Sequence, residues 1–340
     1  MKKGFTLIEI LATIIILAII FVIAVPQISK IINNSKISIY RKNEEVLIKA
    51  ASLYALRNQE YYPSIIGDTK EITLNQLQEV KYISEIINPE NKTEECKGYV
   101  LITKIEQDEY DYTPHIKCGL GINNSVEDRL LGHYKFDENT FDYSTNNNHG
   151  ILVGNAIYLD GKINQALSFN SGRVETEIPD VPRDMTYSAW FKKTTSNWES
   201  IAIIGNRRST RGWMLYRNSG DTAGYFRWYQ HYLTTSDTIT SYRAWPGISN
   251  LQVGVWYNIV ATRTQDGYSN LYLNGELFVA STPPSNFVDW VYSEANISIA
   301  SGQGSGSTSW QATEMILDEV RIYERILSEE EIKLIYELEK

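Results

Sequence analysis

Leu271-Tyr272-Leu273-Asn274-Gly275-Glu276-Leu277-Phe278-Val279 is the stretch that sets the architecture. Two apolar runs flank an Asn-Gly pair. Both residues of that pair tolerate positive φ, which a type I′ turn requires, and the twist of that turn matches two antiparallel strands. The stretch therefore predicts a hairpin. Outward from it the same grammar repeats. Short β-type runs at 132–136, 166–169, 185–192, 201–205, 256–263, 270–273, 297–300 and 314–323 alternate with Gly, Asn, Asp and Ser turns, Asp266-Gly267 among them. Many short strands with regular turns and no tandem repeat imply an all-β sandwich or jelly roll over 130–340. Its last element is a helix, announced by a capping box of Ser328 with Glu331 and a staple of Leu327 on Ile332.

Upstream of residue 130 the pattern changes. Residues 119–129 are polar and glycine-containing and read as a linker. Residues 58–118 make a small head, with a short helix at 74–82 and two strands, 98–103 and 109–117, around Gln107-Asp108. The chain has two cysteines, Cys96 before the first strand and Cys118 after the second. An antiparallel pair brings those ends together, so in an exported chain they read as one disulfide, the alternative being two buried thiols. Such a bridge stabilises by ~3 kcal/mol.

The N-terminus begins Met1-Lys2-Lys3-Gly4-Phe5-Thr6-Leu7-Ile8-Glu9. Residues 5–25 are apolar with a single charge, Glu9. At 1.5 Å rise per residue they reach about 30 Å, enough to cross a bilayer. A secretory signal peptide is cut after its apolar run. Here the processing signal precedes the run, so the membrane segment stays with the mature chain. A carboxylate inside that helix costs roughly 2.5 kcal/mol or more unless neutralised. If the chain is cut after Gly4, the amine on Phe5 of a neighbouring subunit can neutralise Glu9 and register the stack. Pro26 loosens the helix, and an apolar stripe from Ile39 to Ala55 at three-to-four spacing carries it to about residue 57.

Gly4-Phe5-Thr6-Leu7-Ile8-Glu9 resembles the prepilin motif of type IV pilins and type II secretion pseudopilins. That resemblance implies a leader at 1–4, cut by prepilin peptidase, methylation of Phe5, and Glu9 as an assembly residue. The fold class it implies is an α+β pilin, with a long N-terminal helix at 5–57 and a small strand head at 58–118. It also implies residence in the bacterial inner or cytoplasmic membrane, then in an extracellular fibre with other pilin subunits. Residues 131–338 resemble the LamG-like, concanavalin A-like jelly roll. The segments that carry this are Tyr134-Lys135-Phe136-Asp137-Glu138, Asn148-His149-Gly150, Tyr187-Ser188-Ala189-Trp190-Phe191 and Leu317-Asp318-Glu319-Val320-Arg321-Ile322-Tyr323. Members of that family commonly bind glycans or proteins, and many hold a structural calcium.

The net charge of −9 argues against a general nucleic-acid binder. No Ser/His/Asp, Cys/His or closely spaced carboxylate set stands out, so the chain is expected not to be an enzyme. Asp142 and Asn147, in an Asn-rich loop, offer oxygen ligands for calcium, and the resemblance adds Asp318. The alternative is an Asx-rich turn without metal. From Ser200 to Gly220 there is no acid but four arginines, at 207, 208, 211 and 217, with aromatics following. Guanidinium groups recognise carboxylate and sulfate. Trp213 and Trp228, in strand-like runs, are expected in the core. Arg207, Arg208, Tyr242 and Trp245, in loop-like contexts, are the candidate ligand-binding set. The expected function is a minor or tip pilin displaying an adhesin domain for a glycan or surface protein. The alternative is a pseudopilin of a secretion or DNA-uptake machine with a substrate-binding domain.

Overall fold

The structure is a computed structural model of the chain. It describes residues 42–88, 95–118, 128–180, 184–195, 201–217, 226–243, 251–302 and 312–340, with Ile39 and Thr93. Gly4, Phe5, Glu9, the apolar run, most of the expected linker and Trp245 lie outside the described residues. Among the described residues no helix is long and apolar enough to cross a membrane. The chain divides into two compact units. One comprises the residues up to Tyr62 with Lys70–Ile102 and Pro114–Gly119, the other Pro63–Thr69, Thr103–Thr113 and Leu120–Lys340.

In the smaller unit, helix α1 (42–57) buries Leu47, Ala50, Ala51 and Ala55, the three-to-four spacing of one helical face. Asn58 ends it, its side-chain amide donating to the Tyr54 carbonyl at 2.9 Å. Strands β1 (Thr69–Thr73), β2 (Cys96–Glu106) and β3 (Glu109–Cys118) form a sheet in the order β1-β2-β3. Asp108 takes φ 65° in the tight turn between β2 and β3. Helix α2 (Leu74–Glu79) starts on a capping box of Thr73 with Gln76. It is shorter than the 74–82 expected, because Lys81 turns into the left-handed region at φ 61°. Cys96 and Cys118 are joined in a disulfide, with Cα atoms 4.0 Å apart.

The larger unit is a jelly roll with two sheets. The front sheet holds β4 (Leu130–Tyr134), β6 (Ala156–Asp160), β8 (Met185–Lys193), β13 (Trp256–Arg263), β14 (Ser269–Leu273), β15 (Glu276–Ser281) and β18 (Ala312–Tyr323). The back sheet holds β5 (Ile151–Val153), β9 (Ile201–Gly205), β10 (Trp213–Arg217), β11 (Phe226–Thr234), β12 (Ile239–Arg243), β16 (Phe287–Trp290) and β17 (Ser298–Ile299). Strand β7 (Gln165–Glu175) belongs to both. Its first residues pair β6 and β18, and its last pair β5 and β17. The bend falls at Ser171, φ 61°, and at Gly172, where a Cβ would stand 2.5 Å from the Asn155 carbonyl oxygen. Asn274 and Gly275 have φ 52° and 78°, the two positive values of the predicted turn.

The inward residues interleave as one core that includes Phe136, Phe169, Phe191, Trp213, Phe226 and Trp228. A second cluster lies on the other face of the front sheet, where Val260, Tyr272 and Tyr323 meet Leu327, Ile332 and Ile335 of the C-terminal helix α3 (Glu329–Glu339) and its approach. The alternation explains both. Ile259 and Ala261 face the main core while Val260 faces the helix. At the helix start Ser328 and Glu331 cap each other, and Arg325 forks both nitrogens onto the Glu331 carboxylate at 2.9 Å each.

Strand β18 carries the main irregularity of this sheet. Its register against β8 slips between Asp318 and Arg321, and Glu319 takes φ 50°. This bulge lets Leu317 and Val320, three residues apart, both enter the core. Arg321 donates to Glu319 at 2.8 Å and also pairs with Glu339 at the end of α3. Glu339 in turn accepts from the Trp190 indole of β8. Burial pushes the Glu339 carboxyl up to about 7 even with Arg321 beside it. Burial would also raise Glu319, but His133 and Arg321 hold it down at about 2. Arg321→Ala would leave two buried carboxylates without their cation. We expect a loss of ~3–5 kcal/mol, measured as a lower midpoint in chemical denaturation followed by tryptophan fluorescence. A midpoint within error of the parent would show that α3 is held by its apolar face alone.

Candidate functional site

The outward face of the back sheet is the candidate site. On β11, Phe226 and Trp228 enter the core, so Arg227, Tyr229 and His231 share the opposite face. Register extends this face sideways. Arg227 is opposite Tyr216, and Tyr229 is opposite both Met214 on β10 and Arg243 on β12. Ala202, Met214, Tyr216 and Tyr229 form a buried cluster of their own there. The Tyr216 and Tyr229 rings meet edge-on at 5.8 Å. Strands β9–β12 contain no aspartate or glutamate.

Arg207, just beyond β9, lays its guanidinium over the Tyr229 ring, 5.6 Å from its centre. Its Nε is buried, with no hydrogen-bond partner among the described residues. Tyr229 is held from beneath. The His231 Nδ1–H donates to the Gly212 carbonyl at 3.1 Å, which leaves Nε2 to accept from the Tyr229 hydroxyl at 3.3 Å. Burial lowers the affinity of His231 for a proton, and Arg207 adds to that. Beyond Arg207 the chain turns back tightly. Arg208 and Arg211 exchange both backbone hydrogen bonds, with Ser209 at φ 51° between them.

The structure divides the expected ligand-binding set. Tyr242 is opposite Gln230, on the inward-facing parity of the sheet, and its hydroxyl donates to the Thr282 carbonyl at 3.1 Å. Arg207 lies over the outward face. Arg208 is exposed on the turn. The reason is strand register, which sets Tyr242 opposite Gln230 on the core parity of the sheet. Trp213 and Trp228 are fully buried, as their strand-like contexts predict. Arg227, Tyr229 and His231 carry a sequence signal that loop-based reasoning passes over: polar or amphipathic residues at every second position around a core tryptophan.

The expected calcium ligands do not fit a single cation. Asp142 Oδ1 accepts from the His133 and Ser144 amides at 2.8 Å each. Its Oδ2 accepts from the Ser144 hydroxyl at 2.8 Å and the Asn148 amide at 2.9 Å. Four donors point their positive ends at this carboxylate, leaving no lone pair for a metal. Asn147 sits in the same turn at φ 57°. Asp318 lies on β18 and holds a different loop, its Oδ2 accepting from the Lys162 and Ile163 amides at 2.8 and 2.9 Å. Only its Oδ1 is open, buried and with no hydrogen-bond partner among the described residues. Burial, reinforced by Glu319, pushes the Asp318 carboxyl up to about 8. Among the described residues no group of three or more His, Cys, Asp or Glu is arranged to hold a metal ion. The Asn-rich loop has another task. Asn146 and Asn148 donate to the Leu130 and Leu131 carbonyls at 2.6 and 2.7 Å, covering β4.

Residues 157–333, more than half of the chain, match the family described as the concanavalin A-like lectin/glucanases superfamily. The chain belongs to this superfamily. Residues 1–25 match the prokaryotic N-terminal methylation motif. This superfamily member therefore carries a pilin-type N-terminus on the same polypeptide as its lectin-like domain. Among solved structures it resembles domain 4 of AbnA, an extracellular arabinanase from Geobacillus stearothermophilus described in complex with arabinotriose. Identity is 20%, the TM-score is 0.48, and the match covers 62% of this chain and 98% of that one. It also resembles the binding domain of Paraclostridial Mosquitocidal Protein 1, at 17% identity and TM-score 0.47, covering 62% of this chain and 52% of that one. The Botulinum neurotoxin serotype D binding domain matches at 17% identity and TM-score 0.46, covering 64% and 52%. The match thus spans about half the length of each toxin chain. At these identities the likeness concerns the fold alone. No curated protein matches the chain.

The buried His231 gives this lectin-superfamily domain a pH dependence of known sign. Its folded-state affinity for a proton lies below the unfolded value of 6.5, so the stability it contributes is complete above that pH and is lost as pH falls below it. Thermal melts at pH 7.5 and 5.5 should show a smaller acid-induced drop for His231→Gln than for the parent. Equal drops would remove His231 as the cause.

Proposed function

We propose that this protein is a minor or tip subunit of a type IV pilus that presents its jelly roll as an adhesin for an extracellular glycan or surface protein. The observation that carries this reading is the join itself: a methylation motif at residues 1–25 and a lectin-superfamily domain at 157–333 on one chain. In this reading prepilin peptidase cuts after Gly4, Phe5 is methylated, and the apolar run anchors the subunit in the membrane before assembly. Glu9 then pairs with a neighbour's amine, an arrangement favoured because an unpaired carboxylate in an apolar bundle is costly. A jelly roll on every subunit would crowd a packed fibre, which favours sparse or terminal placement. A binding role, with no catalysis, is supported by how the carboxylates are used. Asp318 holds a loop, and Glu175 accepts from Arg173 at 2.6 Å.

Mass spectrometry of sheared fibres should find this chain starting at N-methylated Phe5, and immunogold labelling should mark fibre tips or sparse positions. Glu9→Ala should keep membrane insertion and reduce incorporation into fibres severalfold. A fibre-borne chain that still begins at Met1, or dense labelling along every fibre, would contradict the proposal.

A further inference from the structure

We infer that one end of the sandwich interior, between Tyr187 of β8 and Gln230 of β11, binds a small cluster of ordered water that ties the two sheets together. It does so whether or not the domain binds a glycan. The first observation is which residues meet there. Tyr187 and Trp228 belong to the inward faces of the front and back sheets. Gln230, two residues beyond Trp228 on β11, shares its side. The Tyr187 ring lies 4.1 Å from that of Trp213 and 5.3 Å from that of Trp228. Trp213 is opposite Gln230. On the front sheet, Ala261 is opposite Tyr187, Arg263 lies two residues further along β13, and Ser269 is opposite Arg263. The Gln230 amide reaches the Ser269 hydroxyl at 2.7 Å, a hydrogen bond from one sheet to the other. Polar groups thus make a layer at this end of an otherwise apolar core.

The second observation is what this layer leaves over. The Tyr187 hydroxyl, the Trp228 indole N–H and Gln230 Oε1 are buried and have no hydrogen-bond partner among the described residues. The three residues are 1%, 0% and 1% exposed, so bulk solvent does not serve them. Buried polar atoms left unsatisfied are costly and rare. Their neighbours are already engaged: the Trp213 indole donates to Asp180 at 3.0 Å, and Asp180 faces Arg263 at 3.5 Å. The chemistry of the leftover atoms selects the ligand. Trp228 can only donate, the Gln230 oxygen can only accept, and the Tyr187 hydroxyl can do either. An anion would meet the Gln230 oxygen and Asp180, and a cation the Trp228 N–H and Arg263. Water both donates and accepts, and two to four polar partners are what an internal water needs. Burial holds the Tyr187 phenol well above its usual range, so it stays neutral and keeps both roles. Trp228 and Gln230 stand about 7 Å apart along one side of their strand, a gap that one or two waters span. Turning the Gln230 amide round would make its nitrogen the leftover atom, which water serves equally well.

The test uses the full-length protein in detergent. Tyr187→Phe is expected to lower the thermal midpoint by roughly 2–4 °C, because it takes a partner from the bound water. In a dry core the same change would remove an unsatisfied hydroxyl, and a midpoint that stayed level or rose would overturn the inference. Gln230→Leu should lower the midpoint as well. Tyr187 and Gln230 are coupled here through shared water, so the double variant should lose less than the two single losses added together. Strictly additive losses would overturn the shared water. Crystals of the full chain diffracting to better than about 2 Å give the direct reading. A solvent peak is expected about 2.6–3.2 Å from the Tyr187 hydroxyl oxygen and from Trp228 Nε1 or the Gln230 amide. The leftover atoms bonded directly to one another, or no peak between them, would overturn the inference even if a variant failed to fold.

Discussion

Arg321 stands between two buried carboxylates, and much of the jelly roll leans on that placement. Glu319 lies on one side of it and Glu339 on the other. The first belongs to the bulge of β18 and the second to the last turn of α3, so one guanidinium ties the central strand of the front sheet to the helix that covers it. A glutamate at a helix C-terminus opposes the helix dipole. A non-glycine residue in the left-handed region costs of order 1 kcal/mol or more. Both are tolerated here because the same cation serves both acids. His133 of β4 joins from the far side, at 2.6 Å from Glu319. Burial and the charge of Arg321 lower its proton affinity to about 4, so it stays neutral and donates through Nε2.

One arginine of the front sheet is buried together with its carboxylate. The Asp180 side chain is fully buried. It accepts from the Trp213 indole at 3.0 Å and from the Ser293 amide at 3.1 Å, and it faces Arg263 at 3.5 Å. Arg263 lies under the Trp290 and Tyr292 rings. This inner arginine has its carboxylate and packs as part of the core.

Asp142 illustrates how a polar loop can resemble a metal site and do another task. A carboxylate that accepts four hydrogen bonds has the oxygen density of a cation ligand but none of its free lone pairs. Its donors are the amides and hydroxyl that fold residues 142–148 against β4. The side chains of Asn146 and Asn148 then cap carbonyls of that strand, which would otherwise offer a pairing edge to other chains.

The sequence by itself determined the elements. Asn274-Gly275 fixed a hairpin because only residues tolerant of positive φ suit both of its central positions. Ser328 and Glu331 fixed the start of the last helix, and alternation in 226–231 placed Trp228 inside. The two cysteines flanking a hairpin fixed their pairing for the same local reason, the proximity of antiparallel ends. The candidate site was legible only in part. Arg207 was visible as a member of an acid-free run, but its partner was not. Tyr242 takes the position opposite Gln230, on the core parity, and that placement depends on strand register. Register is set by pairing between segments far apart in the chain, so only the tertiary structure decided that Met214 and Tyr216 of β10 join Tyr229 and that Arg207 lies over its ring. The ion relay through Arg321 was hidden likewise, because Glu319 and Glu339 are twenty residues apart along the chain and meet only when α3 folds back over the sheet.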